Sequence, residues 1–197
     1  MYLPEAWTER FPFLEPLQER WKTVPIAALV VACLFYGLFL LQAAQGSGPM
    51  LMIDLVFIPI HEGGHLLFRW FGEFLAVAGG TLLQLSVPLM LATFFLFQRE
   101  VQGTCFCLFF FFEQLLPTAT YMADARAQEL PLLTVGDGDY VIHDWNYLFG
   151  RLGLLAHDTQ IAHFVRVIGW IGMIGTVSWM IWRSVASRKD ATVARAQ

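Results

Sequence analysis

The chain has 197 residues, of which 57% are hydrophobic and only 14% are charged, whereas a soluble domain carries about 25% charged residues. Its mean hydropathy is +0.56 and its net charge is −4. This composition predicts an integral membrane protein with a single domain, and the lack of a basic patch argues against nucleic acid as a partner. The three cysteines lie in apolar runs, and an odd number argues against a disulfide framework.

The apolar runs predict an all-α protein with about five transmembrane helices, because a bilayer core takes about twenty residues per helix. Residues 1–23 mix charges with aromatic side chains, which is typical of a short segment at the level of the lipid headgroups. Residues 24–123 then predict a four-span core. Its expected spans are 24–44, 50–71, 74–97 and 101–123.

The second half of the chain predicts less regular structure. Pro117 should break or bend the fourth span. Residues 124–159 predict a loop with a short helix that Asp144 caps, and 160–183 predict the last span before a polar tail at 184–197. The lysines and arginines near the span ends favour neither orientation, and we expect a multi-pass protein of the bacterial inner membrane.

The second predicted span contains the pentad His61-Glu62-Gly63-Gly64-His65. Residues four apart share one face of a helix, so both imidazoles can reach one cation, and Glu62 can serve as the base for an attacking water. Gly63 and Gly64 remove side-chain bulk, which lets a neighbouring helix or a substrate come close. Ionisable groups in an apolar span are costly, so the pentad indicates a functional metal site.

A catalytic zinc site needs a third protein ligand, and the residues leave it open. Asp124 follows the broken fourth span, while His143 and Asp144 lie in the next loop. Two polar residues of the spans have alternative interpretations. Gln84 can pack against another helix or bind substrate backbone, and Glu113 can support a ligand or pair with Gln84.

The pentad, a glycine-bearing span and Leu115-Leu116-Pro117 followed by Asp124 resemble the site-2 protease family of intramembrane zinc metalloproteases. The resemblance covers about residues 50–125. It implies that His61 and His65 bind Zn²⁺ together with Asp124, and that Glu62 is the catalytic base.

The same resemblance implies a transmembrane or membrane-proximal peptide as substrate, with membrane lipid around the protein. An unwound substrate strand would be held by Thr81 and Gln84, and His143 would stabilise the oxyanion if it is not the third ligand. Two other functions stay open at this point. The chain could be a metal-dependent hydrolase of a lipid or small amphiphile, or a membrane protein that binds metal without catalysis.

Overall fold

The computed structural model describes residues 10–11, 16, 19–46, 53–130 and 143–195, without the side chains of 53–54 and 189–195. These residues contain helices and no strand. The helices are α1 (Ile26–Gln45), α2 (Ile53–Phe68), α3 (Glu73–Phe97), α4 (Val101–Glu113), α5 (Leu115–Ala123), α6 (Asp144–Leu152) and α7 (Asp158–Arg195). Short 3-10 turns cover Arg69–Phe71 and Leu155–His157.

Four helical segments in the described residues are long and apolar enough to cross a membrane. They are Ile26–Gln45, Glu73–Phe97, Val101–Ala123 and Leu155–Arg188. On α1, which carries no charge, Leu34 and Leu38 are 64% and 66% exposed, as expected of a surface that faces lipid. The all-α prediction and four of the predicted spans are therefore confirmed as helices of sufficient length. The predicted span 50–71 is represented by the 16-residue α2 and a 3-10 turn, and its first residues lie outside the described part.

The fourth predicted span is interrupted at Gln114, three residues before Pro117. A proline ring clashes with the carbonyl group four residues earlier, which here belongs to Glu113, the last residue of α4. Pro117 itself lies in the first turn of α5, where its missing N–H costs no helical hydrogen bond. The predicted break thus occurs one turn earlier than the proline.

The chain forms two compact units, and α3, α4 and α7 contribute residues to both. The first unit contains residues 1–46, 88–110 and 172–197. In its described part, the aromatic rings of Tyr36 and Phe39 on α1 pack against Phe109 on α4, with ring centroids 4.6 and 6.2 Å apart. Cys105 and Cys107 are buried in this unit without a disulfide.

The second unit contains residues 47–87 and 111–171. Its buried apolar cluster joins α5, α6 and α7 through Ala119, Met122, Ala125, Phe149 and Ala162. Polar contacts reinforce the same junction. The Asn146 amide donates to the Ala125 carbonyl at 2.7 Å, and Arg126 forms an ion pair with buried Asp158 at 2.7 Å. These contacts hold the starts of α6 and α7 against the residues that follow α5.

In the second unit, α2 and α3 approach each other through glycines. A Cβ built on Gly64 would collide with the backbone oxygen of Gly79 and would lie 2.9 Å from the Cα of Gly80. A Cβ on Gly63 would meet only the Leu83 Cδ2 at 3.9 Å, which is an ordinary contact. Of the two pentad glycines, Gly64 is therefore the one that permits the close approach of the neighbouring helix.

This packing predicts different effects of alanine at two adjacent positions. Gly64→Ala should destabilise the protein by about 1–3 kcal/mol, because a collision with backbone forces the helices apart. Gly63→Ala is the matched control and should be neutral or stabilising, since alanine is favoured over glycine in a helix by about 1 kcal/mol. Thermal unfolding in detergent, followed by circular dichroism, measures both. Equal losses in the two variants would contradict the glycine contact.

Candidate metal centre

The two pentad histidines on α2 point their Nε2 atoms at one carboxylate oxygen. The Asp144 Oδ2 lies 3.1 Å from the Nε2 of His61 and 3.4 Å from the Nε2 of His65. One ligand atom from each of these three residues lies within 4.8 Å of the others. The four-residue spacing predicted that the two histidines share a face, and the structure brings them together.

The other nitrogen of each ring already has a hydrogen-bond partner. The Nδ1 of His65 lies 2.9 Å from the Ala76 carbonyl oxygen, which can only accept, so this nitrogen carries the proton. The Nδ1 of His61 lies 2.8 Å from the Gln84 Oε1, which accepts in the same way. If the two imidazoles are neutral, their Nε2 atoms therefore carry no proton, and each presents a lone pair. Two lone pairs facing an anionic oxygen require either charged imidazoles or a cation among them.

The two distances from the carboxylate oxygen to the imidazole nitrogens fit a metal ion among them. Zinc bonds of about 2.0–2.1 Å in tetrahedral geometry put neighbouring ligand atoms roughly 3.3 Å apart. The two observed nitrogen–oxygen distances of 3.1 and 3.4 Å bracket this value. A Cβ on Gly80 would lie 2.5 and 2.6 Å from the two Nε2 atoms, so the space between the rings is open only because residue 80 has no side chain.

Asp144 is held in place by residues on both sides of it. It is the first residue of α6, and the cap of this helix is His143, whose Nδ1 accepts the Asn146 N–H at 3.2 Å. The prediction that Asp144 caps this helix was therefore wrong by one residue, because the imidazole takes that role and leaves the carboxylate free. The Asp144 N–H donates to the Tyr121 hydroxyl at 3.1 Å. Burial raises the pKa of Asp144, whereas hydrogen bonds from His61 and His65 in their protonated form lower it, and the net pKa is below its usual value.

Asp124 has other partners. Its carboxylate accepts the backbone N–H groups of Glu129 and Leu130 at 2.9 and 3.1 Å, and lies 3.3 Å from the Nε2 of His143. Burial raises the pKa of Asp124, but these donors lower it further, and the net pKa is below its usual value. In the described residues Asp124 is not among the grouped ligand atoms.

His143 is buried, and both of its ring nitrogens are used, one by Asn146 and one by Asp124. The ring of Tyr121 lies against it with centroids 4.2 Å apart. The Asp124–His143 pair therefore supports the turn that presents Asp144. Sequence reasoning assigned no role to Tyr121, and the only signal was its position in the polar end of the fourth span.

Behind His61, Gln84 is the first of three side chains that are linked by hydrogen bonds. Its Nε2 donates to the Gln114 Oε1 at 2.6 Å, and the Gln114 Nε2 donates to the Glu113 Oε2 at 2.7 Å. Glu113 and Gln114 are each 1% exposed. Because each of these amide groups donates through its nitrogen to the next oxygen, the Gln84 oxygen is left to accept from His61.

The remaining predicted site residues lie on the same two helices. Glu62 is half-buried and lies close enough to His65 and Tyr121 for its charge to act on both. Thr81 is half-buried and follows Gly80 on α3. The roles predicted for Glu62 and Thr81 stay predictions.

No protein-family model matches the chain, and neither characterised proteins nor solved structures gave a match.

The geometry predicts which aspartate controls metal binding. Asp144→Asn should lower the affinity for zinc by about 100-fold or more, since an amide is a poor replacement for an ionised ligand. Asp124→Asn is the matched control and should keep one zinc per chain, because that carboxylate holds a turn. Metal analysis after equilibration with a competing chelator measures both. Loss of zinc in the Asp124 variant with retention in the Asp144 variant would contradict the assignment.

The amide chain predicts that Gln84 tunes the metal through His61. Gln84→Leu leaves the Nδ1–H of His61 without its acceptor, and zinc affinity should fall about 10–100-fold. Gln84→Glu keeps an acceptor oxygen and should bind zinc nearly as tightly as the wild type. If the leucine variant lost affinity only because its packing is disturbed, the glutamate variant would not recover it. Gln102→Leu, an exposed position on α4, serves as the control. Equal zinc affinity in the leucine variant and the wild type would remove this role.

Proposed function

We propose that the protein is a membrane-embedded zinc metallopeptidase that cleaves a peptide bond within or near the membrane. The observation that carries the proposal is the convergence of the His61 and His65 Nε2 atoms on Asp144 Oδ2, with both Nδ1 atoms held by acceptors. Three protein ligands that leave one position open are typical of a catalytic zinc site, whereas structural sites are closed by four. We assign the third ligand to Asp144, and not to Asp124, which the family resemblance implied.

The ligand set suits zinc among the common metals. Two neutral imidazoles and one carboxylate are borderline-soft and hard donors in the combination that catalytic zinc accepts. Zinc, when bound, supplies a Lewis acid that polarises a carbonyl group and makes a water molecule more acidic.

The side chains around the proposed zinc ion have different roles in the reaction. Glu62, next to a ligand and half-buried, takes a proton from the attacking water and passes it to the leaving amine. Tyr121 holds the backbone of Asp144 through its oxygen, so its own hydroxyl hydrogen can point to a developing oxyanion. His143, which the sequence suggested for the oxyanion, instead positions the Asp144 turn. Gln84 and Gln114 fix the orientation of His61.

Access to the site supports a substrate that arrives from the membrane. The side chains of His61 and His65 are 18% and 25% exposed, so the site is not sealed. Beyond them on α2 and its 3-10 turn, Leu66, Trp70 and Phe71 are 63%, 83% and 68% exposed. Exposed apolar side chains that follow the pentad along the chain favour a hydrophobic segment over a soluble peptide. A helical substrate has to unwind locally, since its carbonyl groups are otherwise engaged in the hydrogen bonds of the helix.

The proposal predicts that Glu62→Gln keeps the metal and loses turnover. Removing a general base typically costs about 10²–10⁴-fold in rate, while Gln is close in size and leaves the ligands untouched. The measurement is cleavage of transmembrane model peptides by the zinc-loaded protein in liposomes, followed by mass spectrometry. The lipid fraction of the same samples is analysed for hydrolysis.

Glu129→Gln is the control, because the Glu129 side chain is exposed and only its backbone touches Asp124. It should cleave at the wild-type rate. Full peptide cleavage by the Glu62 variant would exclude the general-base role. Zinc-dependent release of fatty acid without peptide cleavage would replace the peptidase with a lipid hydrolase.

A further inference from the structure

In the first unit, the start of α1, the end of α3 and the later part of α7 meet at a cluster of basic and aromatic side chains. The Lys22 N–H donates to the Arg99 carbonyl oxygen at 3.1 Å, which joins the start of α1 to the end of α3. The Trp21 ring lies 5.2 Å from that of Trp179 on α7, and Arg188 donates to the Val24 carbonyl at 3.0 and 2.9 Å. These contacts gather the ends of span-length helices at one place.

Two guanidinium groups lie against one indole ring at this end. The Arg99 Cζ is 5.0 Å and the Arg183 Cζ is 5.4 Å from the Trp21 ring centroid. Burial lowers the pKa of Arg99, and the positive charge of Arg183 lowers it further, whereas Glu19 acts in the opposite direction. Two like charges are therefore held close together in a partly desolvated place. We call Trp21, Arg99 and Arg183 the arginine–tryptophan cluster.

Among the described residues, no carboxylate forms an ion pair with Arg99 or Arg183, although Glu19 is near enough to act on Arg99. Glu100 pairs with Lys22 at 2.6 Å, and Arg99 Nε donates to the Pro16 carbonyl at 3.2 Å. The buried Nε of Arg183 has no hydrogen-bond partner in the described part of the chain. An anion with several acceptor oxygens would satisfy these donors and offset the repulsion.

The charge balance at this end points to the same kind of ligand. Residues 19–24, 98–101 and 183–188 contain five basic residues, Arg20, Lys22, Arg99, Arg183 and Arg188, and two acidic ones, Glu19 and Glu100. An excess of lysine and arginine beside span ends is typical of the cytoplasmic side, where anionic lipids give the surface a negative potential. Tryptophan is likewise enriched at the headgroup level.

We propose that the arginine–tryptophan cluster binds the phosphate group of an anionic phospholipid headgroup. The two guanidinium groups present planar, paired donors to the phosphate oxygens, and the Trp21 ring holds both cations in position. The acyl chains would run along the exposed apolar faces of the neighbouring helices. The site belongs to the first unit, so its occupancy is independent of the proposed zinc chemistry.

The test compares thermal unfolding of the full-length protein in nanodiscs of phosphatidylcholine alone and with phosphatidylglycerol. The anionic lipid should raise the wild-type melting temperature by about 3 °C or more. Arg99→Gln and Arg183→Gln should each lose at least half of this shift, and the double variant should lose all of it. Arg20→Gln removes one exposed charge from the same end and should keep the shift. A separate arm adds inorganic phosphate against chloride at equal ionic strength, in phosphatidylcholine alone.

Melting in pure phosphatidylcholine shows whether each variant is folded. If the double variant does not fold, Arg183→Lys decides, since it keeps the charge but loses the paired donors and should reduce the shift. The proposal is overturned if phosphatidylglycerol has no effect on the wild type, or if Arg20→Gln loses as much as the cluster variants. A full shift from inorganic phosphate alone would assign the site to free phosphate and overturn the lipid assignment.

Discussion

Two imidazole nitrogens and one carboxylate oxygen lie within 4.8 Å of one another, and the repulsion between their lone pairs has to be offset by positive charge. The acceptors on the far side of each ring fix the lone pairs of His61 and His65 toward Asp144, so neutral histidines would repel the carboxylate. The surrounding structure maintains this arrangement. Gly64 lets α3 pack against α2, and Gly80 leaves the space between the rings empty. A divalent cation explains these features together, and it is why we favour a metalloenzyme.

The apolar surroundings of the site make the supporting hydrogen bonds as important as the ligands. A polar group in an apolar span is costly unless it has a partner, and here the partners come from the protein. The chain from His61 through Gln84 and Gln114 ends on buried Glu113. Each donor has an acceptor with a defined direction, and a ligand held in this way keeps one tautomer and one orientation.

The helices and the shared face of the two pentad histidines follow from local rules, so the sequence was sufficient to predict them. Apolar runs of span length predict helices, and the spacing of His61 and His65 places them on one face. The third ligand depends on the tertiary fold. Asp124 and Asp144 are both acidic residues in a polar stretch, and spacing alone does not show that the carboxylate of Asp124 is held by the turn that follows it and by His143, 19 residues away.

The hydrogen bonds of Gln84 could not be predicted from the sequence either, because its partner Gln114 is 30 residues away along the chain.

The most direct test of the metal centre is X-ray absorption spectroscopy of the purified protein after loading with one equivalent of zinc. We expect one tightly held zinc per chain with two imidazole nitrogens and oxygen ligands at about 2.0–2.1 Å and no sulfur. A spectrum with fewer than two imidazoles, with sulfur from the buried cysteines, or of fully hydrated zinc would contradict the account.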